Sequence, residues 1–243
     1  MHFYPQVKFI KFIKGAFDKK QKLLYHPLNI NKQNIKELKS FLNVEAAKEH
    51  FNIYFKENTN LGKEAYTLEI NEHVIIITSS STTGQLWAIK TLKQIVYQSD
   101  DLLPCLKIED EPVLEIRGYM LDISRGKIPK LKTLYKLIDL LSDLKINHLQ
   151  LYVEGFSYEY PSFDKKYFYN KNALKPEDFI KIGRYAKLKG IDFVPCHNTF
   201  GHMSEWLKHS EFKELAIIKE GMQMWGGHRP ASTINPLKKE THR

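Results

Sequence analysis

The sequence predicts an α/β protein in two parts: a small α+β domain, then the first part of a (β/α)8 barrel, about three βα units long. Three observations carry this. Up to about residue 112 the apolar residues run in period two and then in helical period, as in a sheet with helices laid on it. After it the order becomes strand, helix, strand, helix, strand. RGYMLDISRG, residues 117 to 126, puts two of only five arginines at either end of an apolar run, in a chain with 32 lysines. The domains are therefore read as 1–112 and 113–243.

In the first domain, Ile35, Leu38, Phe41 and Leu42 recur at helical spacing within 33–43. YTLEI (66–70) and HVIIIT (73–78) are strands flanking Asn71-Glu72, read as a two-residue hairpin with Asn able to take positive φ. Beyond SSSTTG, the run QLWAIKTLKQIV sets Leu86, Ile89, Leu92, Ile95 and Val96 on one helical face. IEDEP (108–112) closes the domain as a solvated linker, a setting that removes Asp110-Glu111 as a catalytic dyad.

In the second domain IRGYMLDI is a strand, and Leu131, Leu134, Leu137, Ile138, Leu141 and Leu144 form the stripe of a helix. HLQLYV (148–153) follows, then a helix from about Pro176 to Lys189, with Pro at its first position and Gly190 beyond its end. IDFVP (191–195) is the third strand. Each crossover helix returns the chain to the same end of the sheet, so the strands are parallel. A doubly wound sheet and a barrel both satisfy this; no GxGxxG follows the first strand, which disfavours a dinucleotide site and favours the barrel.

Composition excludes other classes. The net charge of +9 comes from Lys dispersed among Glu and Asp, with no motif that reads nucleic acid, so it is taken as a solvated surface. The Lys-studded opening MHFYPQVKFIKFIKGAF lacks a continuous apolar segment, so neither a secretory signal nor a membrane span is expected. Cys105 and Cys196 form no disulfide framework, and a cytoplasmic location is expected. With His197 and His202, Cys196 matches no zinc spacing; no metal and no cofactor are expected.

Barrel chemistry sits at the C-terminal ends of the strands. There the chain places Asp122 and Arg125, then Glu154, then HNTFGHMSEW (197–206). Arg and carboxylates can hydrogen-bond vicinal hydroxyls, and Trp can stack on the apolar face of a sugar. The spacing is equally compatible with Arg125 and Glu154 simply pairing with each other.

RGYMLDISRGKIP, KINHLQLYVE and VPCHNTFGHMSEW together resemble the start of the catalytic barrel of glycoside hydrolase family 20, the β-N-acetylhexosaminidases. The preceding domain, including SSSTTGQLWAIKTLKQIV, resembles the non-catalytic domain those enzymes carry ahead of it. The resemblance implies that Arg125 binds sugar hydroxyls and that His202 hydrogen-bonds beside the catalytic carboxylates. It implies substrate-binding positions at Glu154 and Asn198 and supporting roles for Arg117, Asp122 and Trp206, the last under the 197–206 loop. Glu154 stands where the family has an Asp, and Asn198 to His202 stand where its pattern is close to D-x-P-G-H, which marks a divergent subgroup.

The implied partner is a terminal β-linked N-acetylhexosamine of an oligosaccharide or glycoconjugate. The implied reaction is retaining and substrate-assisted: the 2-acetamido carbonyl attacks the anomeric carbon, a Glu protonates the leaving oxygen, and the preceding Asp orients the acetamido group. That Asp-Glu pair follows the fourth barrel strand and is expected beyond Arg243. INPLKKETHR opens as a helix with Asn235 as N-cap and Pro236 at its first position, too short to stand alone, so the chain reads as cut and by itself inactive. The alternatives are a non-catalytic carbohydrate-binding or vestigial product, and an unrelated barrel hydrolase.

Overall fold

A computed structural model describes residues 1–163 and 168–242. The chain divides into two compact units, Met1–Arg117 with Leu140–Lys145, and Gly118–Asp139 with Ile146–Arg243.

The first unit is built on a seven-stranded sheet. Its strands are β1 (Phe9–Asp18), β2 (Leu23–Tyr25), β3 (Val44–Ala46), β4 (Ile53–Glu57), β5 (Tyr66–Ile70), β6 (Ile75–Ser79) and β7 (Leu102–Asp110), in the spatial order β1-β7-β5-β6-β4-β2-β3. Helices α1 (Lys32–Lys39) and α2 (Thr82–Tyr97) complete it. Period-two alternation buries Tyr66, Leu68, Ile70, Ile75 and Ile77, which share one core with Leu86, Ile89, Leu92 and Ile95 of α2. Each such aliphatic side chain contributes about 1.5–3 kcal/mol by leaving water. α2 begins where Ser81 Oγ accepts from the Gly84 N–H at 3.0 Å, relieving an unpaired donor of the first turn.

Three expectations for this unit are corrected. β5 and β6 pair Ile70 with Ile75, so the connection is 71–74; Asn71 Oδ1 accepts from the His73 and Val74 N–H groups, an Asx turn that needs no positive φ. The first helix stops at Lys39, and Leu42 enters the core from the turn after it. Asp110 lies in no solvated linker: it ends the nine-residue β7, and its carboxylate accepts from Tyr66 Oη at 2.8 Å and Lys145 Nζ at 2.7 Å. Glu111 pairs with Lys8. Around the Asp110 group, burial pushes Tyr66 well above its ordinary pKa and Lys145 below its own, the nearby Asp110 charge adding to the first and opposing the second.

The second unit carries three parallel strands, β8 (Gly118–Asp122), β9 (His148–Val153) and β10 (Asp192–His197), in the order β10-β9-β8. Helices α3 (Leu131–Asp143) and α4 (Pro176–Leu188) supply the crossovers, α3 ending among residues of the first unit. α4 starts at Pro176 and is followed by Gly190 at φ 75°, the left-handed stop that glycine takes without strain. Leu149, Leu151 and Val153 are fully shielded, as are Leu134 and Ile138 of α3, whereas Leu144 lies past the helix and is exposed. Short helices α5 (Ser204–Leu207) and α6 (Ser210–Lys213) and the hairpin β11 (Met222–Met224) and β12 (Gly227–Arg229) follow.

The third strand runs two residues further than the sequence suggested, taking in Cys196 and His197. Near the end, Asn235 Oδ1 accepts from Leu237 N–H at 3.0 Å, making an Asx turn into a 3-10 helix over Lys239–His242 instead of the expected α-helix start. Among the described residues, no helix is long and apolar enough to cross a membrane.

Candidate active site

The motif DISR builds its own turn. Asp122, last in β8, uses Oδ1 to accept the N–H of Ser124 at 2.8 Å and that of Arg125 at 3.3 Å, while Oδ2 accepts from Arg125 Nη1 at 2.9 Å. One carboxylate thus folds the loop and orients the guanidinium it leads to. Ser124 Oγ in turn accepts the N–H of Glu154, tying the loop after β8 to the loop after β9.

Arg125 reaches across the strand ends. Its Nη2 donates to Glu154 Oε2 at 2.7 Å and lies 3.3 Å from His202 Nδ1 and 3.5 Å from Tyr152 Oη. The guanidinium sits over the Tyr152 ring, 5.3 Å from its centroid. The Glu154 charge, then that of Asp122, holds the Arg125 pKa above its ordinary value against the opposing effect of burial. Arg only donates, so His202 Nδ1 accepts and the ring proton resides on Nε2. His202 itself adopts φ 58°, a left-handed conformation uncommon outside glycine, next to Gly201. Its loop is held by Met203 N–H on Ser232 O and Ile234 N–H on Phe200 O, both 3.0 Å.

Asn198 follows β10, and its Nδ2 donates to Tyr152 Oη at 2.5 Å. Arg125, Glu154, Asn198, His202 and Asp122 therefore belong to one hydrogen-bonded group, and Arg125 and Glu154 do pair with each other. Their pairing leaves the site open: the Arg125 side chain is 58% exposed and that of His202 48%, against 16% for Glu154. Trp206 stands outside this polar group, in an aromatic cluster with Phe156 (4.4 Å between centroids), Phe163 and Phe212. Arg117, at the other end of β8, donates through Nε to Lys145 O at 2.9 Å and pairs with Glu64 within the first unit. Among the described residues, no cluster of His, Cys, Asp and Glu could hold a metal ion.

Tyr152 was missed from sequence. The signal was available: in HLQLYVE, Gln150, Tyr152 and Glu154 fall on one face by period two, opposite the buried Leu149, Leu151 and Val153.

Comparison with known proteins adds the following. The family model for glycosyl hydrolase family 20, domain 2, matches residues 18–111, and that for the family 20 catalytic domain matches residues 115–243. Mouse beta-hexosaminidase subunit beta is 30% identical over 155 residues, covering 60% of this chain and 29% of that protein. The rat subunit beta is 27% identical over 188 residues, covering 73% and 34%. An exo beta-N-acetylglucosaminidase from Vibrio harveyi, in complex with N-acetylglucosamine, superposes with a TM-score of 0.78 at 22% identity over 99% of this chain and 43% of its own. The beta-N-acetylhexosaminidase of Streptomyces coelicolor A3(2) gives 0.78 at 19% over 98% and 54%. The chain thus spans about a third of the length of these curated relatives.

Proposed function

Because the chain belongs to glycosyl hydrolase family 20, we propose that its second unit holds a terminal β-linked N-acetylhexosamine in a retaining, substrate-assisted glycosidase reaction. The observation that supports this reading best is the Arg125 fork at the C-terminal ends of three parallel strands, braced by Asp122 on one side and Glu154 on the other. The fork donates to sugar hydroxyls, the carboxylates accept from them, and His202 offers an N–H from its outer nitrogen. Binding energy gathered on the hydroxyls positions the anomeric carbon for attack by the substrate's own acetamido oxygen.

We assign none of these residues as the acid of that reaction. No aspartate follows Asp192, so no Asp-Glu pair stands after β10, and Asp110-Glu111 is committed to Tyr66, Lys145 and Lys8. The 243 residues alone are therefore proposed to hold the sugar without cleaving it, which is also the behaviour of the alternative reading as a carbohydrate-binding product. The two free thiols, Cys105 and Cys196, fit a reducing, cytoplasmic setting. The test is an assay of the purified chain on an aryl β-N-acetylglucosaminide. General acid catalysis is worth about 10²- to 10⁴-fold, so no turnover above background is expected. Turnover unaffected by Arg125→Ala would put the chemistry elsewhere.

A further inference from the structure

We propose that Tyr152 is a positioning residue whose hydroxyl, bridging the Glu154 carboxylate to the Asn198 carboxamide, fixes these two groups as paired acceptors for neighbouring sugar hydroxyls. The inference rests on the sugar-holding reading above and names how the site selects its ligand's hydroxyl pattern.

The bond inventory requires the bridge. A phenol has one proton and two lone pairs, and a carboxylate only accepts. Tyr152 Oη therefore donates to Glu154 Oε2, at 3.0 Å, and accepts from Asn198 Nδ2 at 2.5 Å, with Arg125 Nη2 3.5 Å away. Its one proton is spent on Glu154 and its best acceptor position on Asn198, so it acts through these neighbours. Those neighbours are left with defined uncommitted atoms. Glu154 Oε2 is taken by Arg125 and Tyr152, leaving Oε1; one of the two Asn198 Nδ2 protons is taken by Tyr152, leaving the other and Oδ1. Among the described residues neither oxygen has a hydrogen-bond partner. Two acceptor groups tied to one hydroxyl match a pair of hydroxyl donors. Without the hydroxyl, the Asn198 amide is free to turn its NH₂ outward, and the matched set is lost.

Tyr152→Phe removes the hydroxyl and keeps the ring on which the guanidinium rests. In the ¹⁵N-labelled 243-residue chain, the Asn198 side-chain NH₂ signal should shift and exchange faster in Tyr152→Phe than in wild type. In an NMR titration with N-acetylglucosamine, Tyr152→Phe and Asn198→Ala should each raise Kd about tenfold, and the double variant about tenfold again relative to wild type, since the two act as one unit. Losses that multiply to about a hundredfold, or an unchanged NH₂ signal in Tyr152→Phe, would overturn the proposal. If wild type binds no N-acetylglucosamine while Tyr152→Phe still releases the amide, the bridge stands and the sugar reading falls. Should Tyr152→Phe lower the melting temperature, Asn198→Ala carries the test: the Tyr152 ring signals should shift, and their constancy would overturn the bridge.

Discussion

β6 in the first unit and β8 in the second are both five-residue strands, yet they meet water differently. In β6, Ile75 and Ile77 are fully shielded; in β8, Tyr119 is 41% and Met120 57% exposed. The difference lies in what covers them. β6 has a strand on each side and shares the α2 core. β8 and β10 are the two edges of their sheet, and Met120 and Val194 share with Gln150 and Tyr152 the face opposite Leu149 and Leu151. That face would fill the centre of a closed barrel. A residue's place in a strand thus fixes which way it points, and only its neighbours decide whether it is buried.

Limited proteolysis with mass spectrometry should separate the two sheets most clearly. The expected result is a resistant core within Met1–Arg117 and Leu140–Lys145, with cuts accumulating early in the rest of the chain, because open edges and an apolar face in water cost the second sheet local stability. Equal protection to the end of the chain would remove the contrast. Next in size are two alanine substitutions. Ile77→Ala, at a site with 0% exposure, should cost about 2–5 kcal/mol in urea unfolding, whereas Met120→Ala should change stability by less than about 0.5 kcal/mol. Similar losses at both would mean that the β8 face is covered.

The smallest effect is on pH dependence. Burial lowers the His197 pKa below 6.5, so its contribution to stability is whole above 6.5 and is lost as pH falls through the lower folded value. At Asp143, burial alone would raise the carboxyl, but the bonds and charges of Lys90 and Lys93 bring it below 3.8, so its contribution persists above 3.8 and is lost below. On acidification the second unit should therefore weaken first, between 6.5 and 3.8. Urea melts followed on amide signals of each unit at the two ends of that window give the order, and the reverse order would contradict it.

Periodicity made the elements with one buried face legible: YTLEI, HLQLYV and the stripe of α2 fall where the alternation put them. Short or edge strands such as β2 and β3 left too few residues to show a period. Asp110 was misread because a buried charge announces itself through partners distant in sequence, here Tyr66 and Lys145. At the site, Arg125, Glu154, Asn198 and His202 were visible as polar residues at strand ends. Tyr152 is passed over when an aromatic within an apolar strand is read as core; period two places it on the Glu154 face, but its partner Asn198 lies 46 residues away.

In the proposed function Arg125 grips the sugar hydroxyls. The direct measurement is an NMR titration of the labelled 243-residue chain with N-acetylglucosamine, in wild type and Arg125→Lys. Lys cannot reproduce a fork, and a lost charge-assisted bond costs about 1.5–3 kcal/mol. Saturable shifts are expected at His202 and Asn198 in wild type, with Kd raised about tenfold to a hundredfold in a folded Arg125→Lys variant. Saturable binding with the same Kd in both proteins would contradict it.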